Sequence, residues 1–296
     1  MSAQNPIGII SMQHQRPFTE ADFPQFDRWK QAGFDFVEFL MPEPDEMDLN
    51  ALKRALDDAG LGALLTARVN LERNPASDDP ARRRAGIDYL LSCVDASHAL
   101  GASMLGGPLY GSPLVFAGQA PHPIDEKARL ERLDRVTEGL RGVGTRARAA
   151  GIRLGIEALN RYETDFLNTT RQAVTLVETI GLPSVGLILD TFHMNVEDDD
   201  IPDAIRHAGG YIFHFQANEN HRGYLGTGHI DWTAVVRALA DVDFRGTITL
   251  EPFRRTDERI SIPFAQWKPP AGDEQAELAA SCGFLRNLIA LNGGRK

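Results

Sequence analysis

Gly186-Leu187-Ile188-Leu189-Asp190-Thr191-Phe192-His193-Met194-Asn195 is the stretch on which the fold turns. It is apolar for the length of a strand, stops at an acid, and carries a histidine three residues later. A run that is apolar on both faces describes a strand of a parallel sheet, because only there is neither face left to water. Asp190 then stands at the carboxyl end of the strand, where parallel α/β folds place their chemistry. Ile152-Arg153-Leu154-Gly155-Ile156 ends in the same way at Glu157, and Thr247-Ile248-Thr249-Leu250 ends at Glu251.

The same grammar extends outward in both directions. Apolar runs at 7–10, 34–41, 61–69, 102–105, 152–159, 185–190, 211–217 and 246–251 read as eight strands. Between and after them lie helical patterns at 21–33, 49–60, 80–101, 127–151, 169–181 and 201–209, one capped by Asp231 that runs through Val235, Val236 and Leu239, and a last one at 275–291. Asp48, Asp79-Pro80 and Asp231 supply helix starts, and Gly60, Gly101 and Gly181 supply stops. Alternating strands and helices imply a parallel sheet with right-handed crossovers. Eight units without a linker favour a closed barrel over a doubly wound open sheet, so the expectation is α/β, a single (β/α)8 TIM barrel over residues 1–296.

Composition narrows the function. The 296 residues are 43% hydrophobic and 24% charged, with a net charge of −10, which argues against a phosphate-backbone binder and against an anionic membrane surface. No run approaches about 18 apolar residues, so no membrane span is expected. The start, Met1-Ser2-Ala3-Gln4-Asn5-Pro6, lacks the pattern of a signal peptide. Cys93 and Cys282 fall among apolar neighbours in helical patterns. Two buried free thiols and a cytoplasmic location are the expectation.

The strand ends assemble a site. Glu157, Asp190 and Glu251 close strands five, six and eight, and on strand seven His214 and Gln216 share a face while Phe213 and Phe215 take the other. One acid at a strand end is as well explained by a helix cap; three on neighbouring strands about 5 Å apart are not. Carboxylates that close raise one another's pKa unless a cation lies between them. Oxygen-rich ligation points to a divalent metal, Mn²⁺ first, with Mg²⁺ or Co²⁺ as alternatives. No nucleotide or organic cofactor is expected, since Gly106-Gly107 lacks the spacing of a phosphate-binding loop. The run Glu197-Asp198-Asp199-Asp200 reads as a solvated loop that caps the next helix, and His98, His122, His207 and His221 as structural or solvated.

Four segments make the sequence resemble the ketose 3-epimerase group (D-tagatose, D-psicose and L-ribulose 3-epimerases) of the xylose isomerase-like barrels. They are Gly155-Ile156-Glu157-Ala158-Leu159-Asn160-Arg161-Tyr162-Glu163-Thr164-Asp165-Phe166-Leu167-Asn168-Thr169; Leu189-Asp190-Thr191-Phe192-His193-Met194-Asn195; Glu219-Asn220-His221-Arg222-Gly223 with Gly226-Thr227-Gly228-His229-Ile230-Asp231-Trp232; and Leu250-Glu251-Pro252-Phe253. The resemblance is close from about Gly151 onward and mainly architectural before it. It implies a metal-dependent isomerase that inverts C3 of a free ketose. Glu157 and Glu251 would be ligands and the acid-base pair, Asp190 a ligand, and Glu163, His193 and Arg222 the contacts to the sugar.

One position departs from the group, whose usual fourth ligand is a histidine; here it is Gln216, two residues after His214. A glutamine oxygen suits a hard cation, and the alternative of His214 as ligand stays open beside it. The departure also leaves room for other carbonyl chemistry: aldose-ketose or inosose isomerisation, inosose dehydration, or elimination from a 3-keto-sugar. A metal-dependent nuclease would need more histidines and a basic groove; a non-catalytic sugar-binding protein would be expected to lose one glutamate. Met12, Gln13 and Tyr110 are expected at the far side of the pocket. The long loop from Arg254-Arg255 to Trp267-Lys268 reads as a cover, with Trp267 closing over the pocket. Asp257 and Glu258 among its arginines, and the lack of a glycine-rich phosphate turn, favour an unphosphorylated sugar as the partner, with no nucleic acid. A dimer or tetramer is left open beside a monomer.

Overall fold

The computed structural model describes residues 5–14, 16–43, 45–67, 69–111, 125–253, 266 and 272–292. Eight strands form a closed parallel barrel: β1 (Ile7–Ile10), β2 (Phe36–Leu40), β3 (Gly62–Thr66), β4 (Met104–Gly106), β5 (Arg153–Glu157), β6 (Val185–Asp190), β7 (Ile212–Ala217) and β8 (Thr247–Leu250). Each strand pairs with its neighbours in sequence, and β8 closes on β1 with Ile9 opposite Leu250. Outside lie α1 (Gln25–Gln31), α2 (Leu49–Ala59), α3 (Pro80–Leu100), α4 (Glu126–Ala149), α5 (Thr170–Ile180), α6 (Thr191–Glu197), α7 (Ile201–Ala208), α8 (Trp232–Asp241) and α9 (Glu274–Asn292). The eight strands and the closed sheet agree with the sequence reading. No helix among the described residues is long and apolar enough to cross a membrane.

The caps show why the helices begin and end where they do. Asp48, Asp79 and Asp231 accept from the backbone N–H of Asn50, Ala81 and Ala234, and Thr169 with Gln172 forms a capping box at α5. Each such cap is worth about 1 kcal/mol. Gly60, Gly101 and Gly181 follow α2, α3 and α5 in the left-handed region that other residues avoid. Cys93 and Cys282 are buried and unpaired.

The barrel interior is stacked, which is what places the site. At its amino-terminal end Phe36, Leu64, Met104 and Ile188 form an apolar plug. Small residues make room for it: a Cβ on Gly8 would lie 2.3 Å from the Phe36 ring, and one on Gly155 2.7 Å from Ile188 Cγ1. Two residues further along the strands, side chains on the same face turn polar. Phe36 gives way to Glu38, Leu64 to Thr66 and Ile188 to Asp190, all of them buried.

Two local features differ from the sequence reading. The register of β6 on β7 shifts, with Leu187 opposite Ile212 but Ile188 opposite His214. The extra residue, Phe213, therefore packs against the interior plug, while Phe215 stays in the core outside the barrel. Directly after Asp190 the chain turns into α6, a short helix the sequence reading did not separate. The acidic run after it is only partly a cap: Asp200 caps α7, but Glu197 binds Arg161 and Asp198 binds the backbone and hydroxyl of Thr170.

Candidate active site

A cavity of about 810 Å³ opens at the carboxyl end of the barrel. Glu157, Gln216 and Glu251 line it, from the ends of β5, β7 and β8. Asp190, the last residue of β6, is buried beside them. Its Oδ1 accepts from Phe192 N–H at 2.7 Å, so the acid also caps α6. Asn218, just past β7, donates one amide nitrogen to Asp190 Oδ2 at 2.9 Å and to Glu251 Oε2 at 2.7 Å. That clamp fixes both carboxylates while leaving lone pairs on each.

Electrostatics distinguish this cluster from a structural one. Burial, then the negative charge of Asp190 and Glu251, holds the Glu157 carboxyl well above its usual pKa. Burial and Asp190 do the same to Glu251, and the opposing pull of Arg222 and Asn218 does not cancel it. Two buried acids that resist ionising at one site are suited to hold and release protons, or to receive a cation.

Across the cavity, Arg222 is buried with its guanidinium 4.1 Å from the Phe192 ring centre and 4.8 Å from that of Phe253. Its backbone lies at φ 55°, in the left-handed region. The turn that holds it there is tied by Glu219, which accepts from Arg222 N–H through its carbonyl and from Gly226 N–H and Trp232 Nε1 through its carboxylate. Arg222 Nη1 lies 3.4 Å from Glu163 Oε1. Burial would raise the Glu163 pKa, but Arg222 and His193 outweigh it and keep this acid below its usual range.

His193 is oriented by a group that can only donate. Asn160 N–H points at its Nδ1 from 3.0 Å, and the Arg222 guanidinium, also only a donor, sets Nη2 3.2 Å from its Nε2. Burial lowers the pKa of this histidine despite the acids around it. Nε2 lies 3.5 Å from Glu157 Oε1 and 3.7 Å from Asp190 Oδ2. Glu157, Asp190 and His193 thus bring three potential ligand atoms within 4.8 Å of one another, a cluster with the composition to hold a metal ion.

Beneath the cavity a further buried carboxylate completes the arrangement. Glu38 accepts from Thr66 Oγ1 at 2.6 Å and from Gln216 Nε2 at 3.1 Å, and lies 3.2 Å from His214 Nε2. Burial pushes its pKa up, but His214 and the surrounding hydrogen bonds more than offset this, so Glu38 stays below the usual carboxylate range. Gln216 Oε1 is buried and has no hydrogen-bond partner.

Residues 26–288 match the family model described as the xylose isomerase-like TIM barrel. The chain belongs to this family. Within it, the L-ribulose 3-epimerase of Mesorhizobium japonicum is 34% identical over 259 residues, covering 86% of this chain and 84% of that protein. The ketose 3-epimerase of Arthrobacter globiformis is 35% identical, covering 88% of each. A solved L-ribulose 3-epimerase superimposes with a TM-score of 0.88 at 30% identity, covering 97% of this chain and 95% of that one. The ketose 3-epimerase resemblance read from the four sequence segments is therefore shown by whole-chain similarity.

In this family member the structure brings together Glu157, Glu163, Asp190, His193, Gln216, Arg222 and Glu251, the residues picked out from sequence. Met12 lines the cavity, as anticipated. His214 and Tyr110 lie behind its wall instead. His214 is buried between Glu38 and Thr247, and the Tyr110 hydroxyl points to the Leu167 carbonyl at 3.4 Å. Gln13 is likewise buried and not among the lining residues. Trp267 and the arginine-bearing stretch lie outside the described residues. Sequence reasoning missed Glu38 and Asn218. The signal for Glu38 was an acid in the middle of an apolar run; that for Asn218 was its spacing of two from Gln216.

Proposed function

We propose that this chain is a divalent-metal-dependent isomerase that inverts C3 of a free ketose through two opposed glutamates. The observation that carries the reading is the pair Glu157 and Glu251, buried in one cavity and both reluctant to ionise, with the clamped Asp190 beside them. The names of the relatives supply the substrate class, a ketose, and the position, C3.

The residues fit a hard cation. Glu157, Asp190, Gln216 and Glu251 offer only oxygen, and the unpartnered Gln216 Oε1 is a buried acceptor that a cation would satisfy. His193 fits less well as a ligand, because Asn160 N–H occupies its Nδ1 and the cationic Arg222 guanidinium stands 3.2 Å from its Nε2. Mn²⁺ is the cation we assign, with Mg²⁺ or Co²⁺ as substitutes. When bound it supplies Lewis-acid polarisation of the substrate carbonyl and the positive charge the crowded carboxylates need.

One glutamate takes the C3 proton, and the other returns a proton to the opposite face. His193 and the Arg222 guanidinium hydrogen-bond the sugar around its carbonyl end. Glu163 holds Arg222 in position and accepts from a sugar hydroxyl. The flanking rings of Phe192 and Phe253 exclude water from the guanidinium. The proposed substrate is an unphosphorylated sugar: at the cavity mouth Arg73 is paired with Glu43 at 2.5 Å, and Glu46 and Glu72 also line it.

The test is incubation of free pentuloses and hexuloses with the Mn²⁺-loaded protein, with C3 inversion followed by chiral sugar analysis. The departure at Gln216 supports a second reading, a C1–C2 proton shift. By its name, the hydroxypyruvate isomerase of Escherichia coli, 25% identical over 267 residues, supports an isomerisation of this kind. Aldose formation without C3 inversion in the same assay would select it.

A further inference from the structure

We propose that Glu38 is a positioning residue that fixes which end of the Gln216 amide faces the cavity, making Gln216 an oxygen donor to a divalent cation. The inference rests on the ligand assignment made under the proposed function and extends it to a residue outside the cavity wall.

An amide presents two different ends, a donor NH₂ and an acceptor oxygen, and only the oxygen ligates a hard cation. Nothing about Gln216 alone decides between them. Its neighbours in the cavity are acids, which would draw the NH₂ group toward them and turn the oxygen away. Glu38 settles the competition from below. Gln216 Nε2 lies 3.1 Å from Glu38 Oε1, and the reversed amide would set two acceptor oxygens at that distance with no proton between them.

Glu38 is itself held, so it does not rotate to accommodate a reversed amide. Thr66 Oγ1 donates to the same oxygen at 2.6 Å, and His214 Nε2 lies 3.2 Å from the other. His214 is oriented in turn by Thr247 Oγ1, 2.7 Å from its Nδ1. In the chain Thr247–His214–Glu38–Gln216, Thr247 is half-buried and the other three side chains are buried, Glu38 at 1% exposure and His214 at 0%. At its far end Gln216 Oε1 is left buried without a partner. A buried acceptor left without a partner is destabilising, and a cation in the cavity removes that cost.

Partners that orient a ligand typically change metal affinity by about 10–100-fold when removed. The test is a double-mutant cycle on metal-stripped protein, with Mn²⁺ affinity read by isothermal titration calorimetry. Glu38→Gln lets the amide turn over and should weaken Mn²⁺ binding by about 10–100-fold. Gln216→Ala should weaken it at least as much. In the Gln216→Ala background, Glu38→Gln should cause no further loss.

If Glu38→Gln leaves affinity unchanged, or costs the same with and without Gln216, the positioning role is wrong while the ligand assignment stands. If Gln216→Ala binds Mn²⁺ as tightly as the parent, the ligand assignment itself fails, and the positioning role with it. Glu38→Asp keeps the charge but withdraws the carboxylate by one methylene; it gives the same cycle should Glu38→Gln not fold.

Discussion

Asn218 Nδ2 donates to Glu251 Oε2 at 2.7 Å, and the same nitrogen reaches Asp190 Oδ2 at 2.9 Å. A single neutral amide thus bridges the carboxylates that end β6 and β8, across the intervening strand. The acids are held at fixed spacing before any cation or substrate arrives, which is preorganisation in the physical sense.

Asn218→Ala removes both hydrogen bonds and leaves two buried carboxylates facing each other. The metal-free protein should lose about 1–3 kcal/mol of stability, read by urea denaturation at neutral pH, and added Mn²⁺ should recover part of it. Unchanged stability of the metal-free variant would show that the clamp is not formed.

Metal binding should strengthen with pH. Glu157 and Glu251 both have pKa values raised above those of an unfolded chain. The metal-free fold therefore holds their protons more tightly than the unfolded state, and loses stability as pH rises from the ordinary carboxylate range through the raised values. A cation must displace those protons, so its affinity rises over the same window and binding releases protons. Calorimetry in buffers of different ionisation enthalpy measures that release. Binding with no proton release on the acid side of neutrality would contradict the assignment.

Much of this was legible in the sequence because of where the barrel buries its strands. A strand covered on both faces is written as an apolar run, and its end at the cavity as an acid, so Glu157, Asp190 and Glu251 stood out. The caps at Asp48, Asp79 and Asp231 were legible for an equally local reason, since each bonds to a backbone N–H two or three residues ahead. What stayed hidden depends on distant strands. Glu38 gains its meaning from His214 and Gln216, 176 and 178 residues away. The outward reading of Phe213 failed because the register shift that turns it inward is set by the pairing of β6 and β7, not by its own sequence.

Arg222→Ala should act mainly on substrate binding. The guanidinium lies against Glu163, His193 and two aromatic rings, and the proposed reaction gives it no proton to move. Loss of a charged hydrogen bond worth about 1.5–3 kcal/mol predicts KM raised by about 10–100-fold, with a smaller change in kcat. Steady-state kinetics check this; a kcat loss with KM unchanged would move Arg222 from binding to chemistry.

Gln216→His should retain metal binding but shift preference toward Co²⁺, since an imidazole nitrogen is a softer donor than an amide oxygen. Competition between Mn²⁺ and Co²⁺ at equilibrium measures it. An unaltered preference would place residue 216 outside the ligand shell.

The central claim is that Glu157 and Glu251 work as opposed bases on one carbon, and solvent-deuterium incorporation at C3 of the ketose tests it most directly. In D₂O with Mn²⁺, the parent protein should exchange the C3 proton of both epimers as it interconverts them. Glu157→Gln and Glu251→Gln, each verified to hold Mn²⁺, should lose interconversion by about 10²–10⁴-fold. Each should still exchange, without inversion, the one epimer whose proton the surviving glutamate removes. Near-parental epimerisation by either variant, or inversion in the parent without deuterium at C3, would contradict the two-base account.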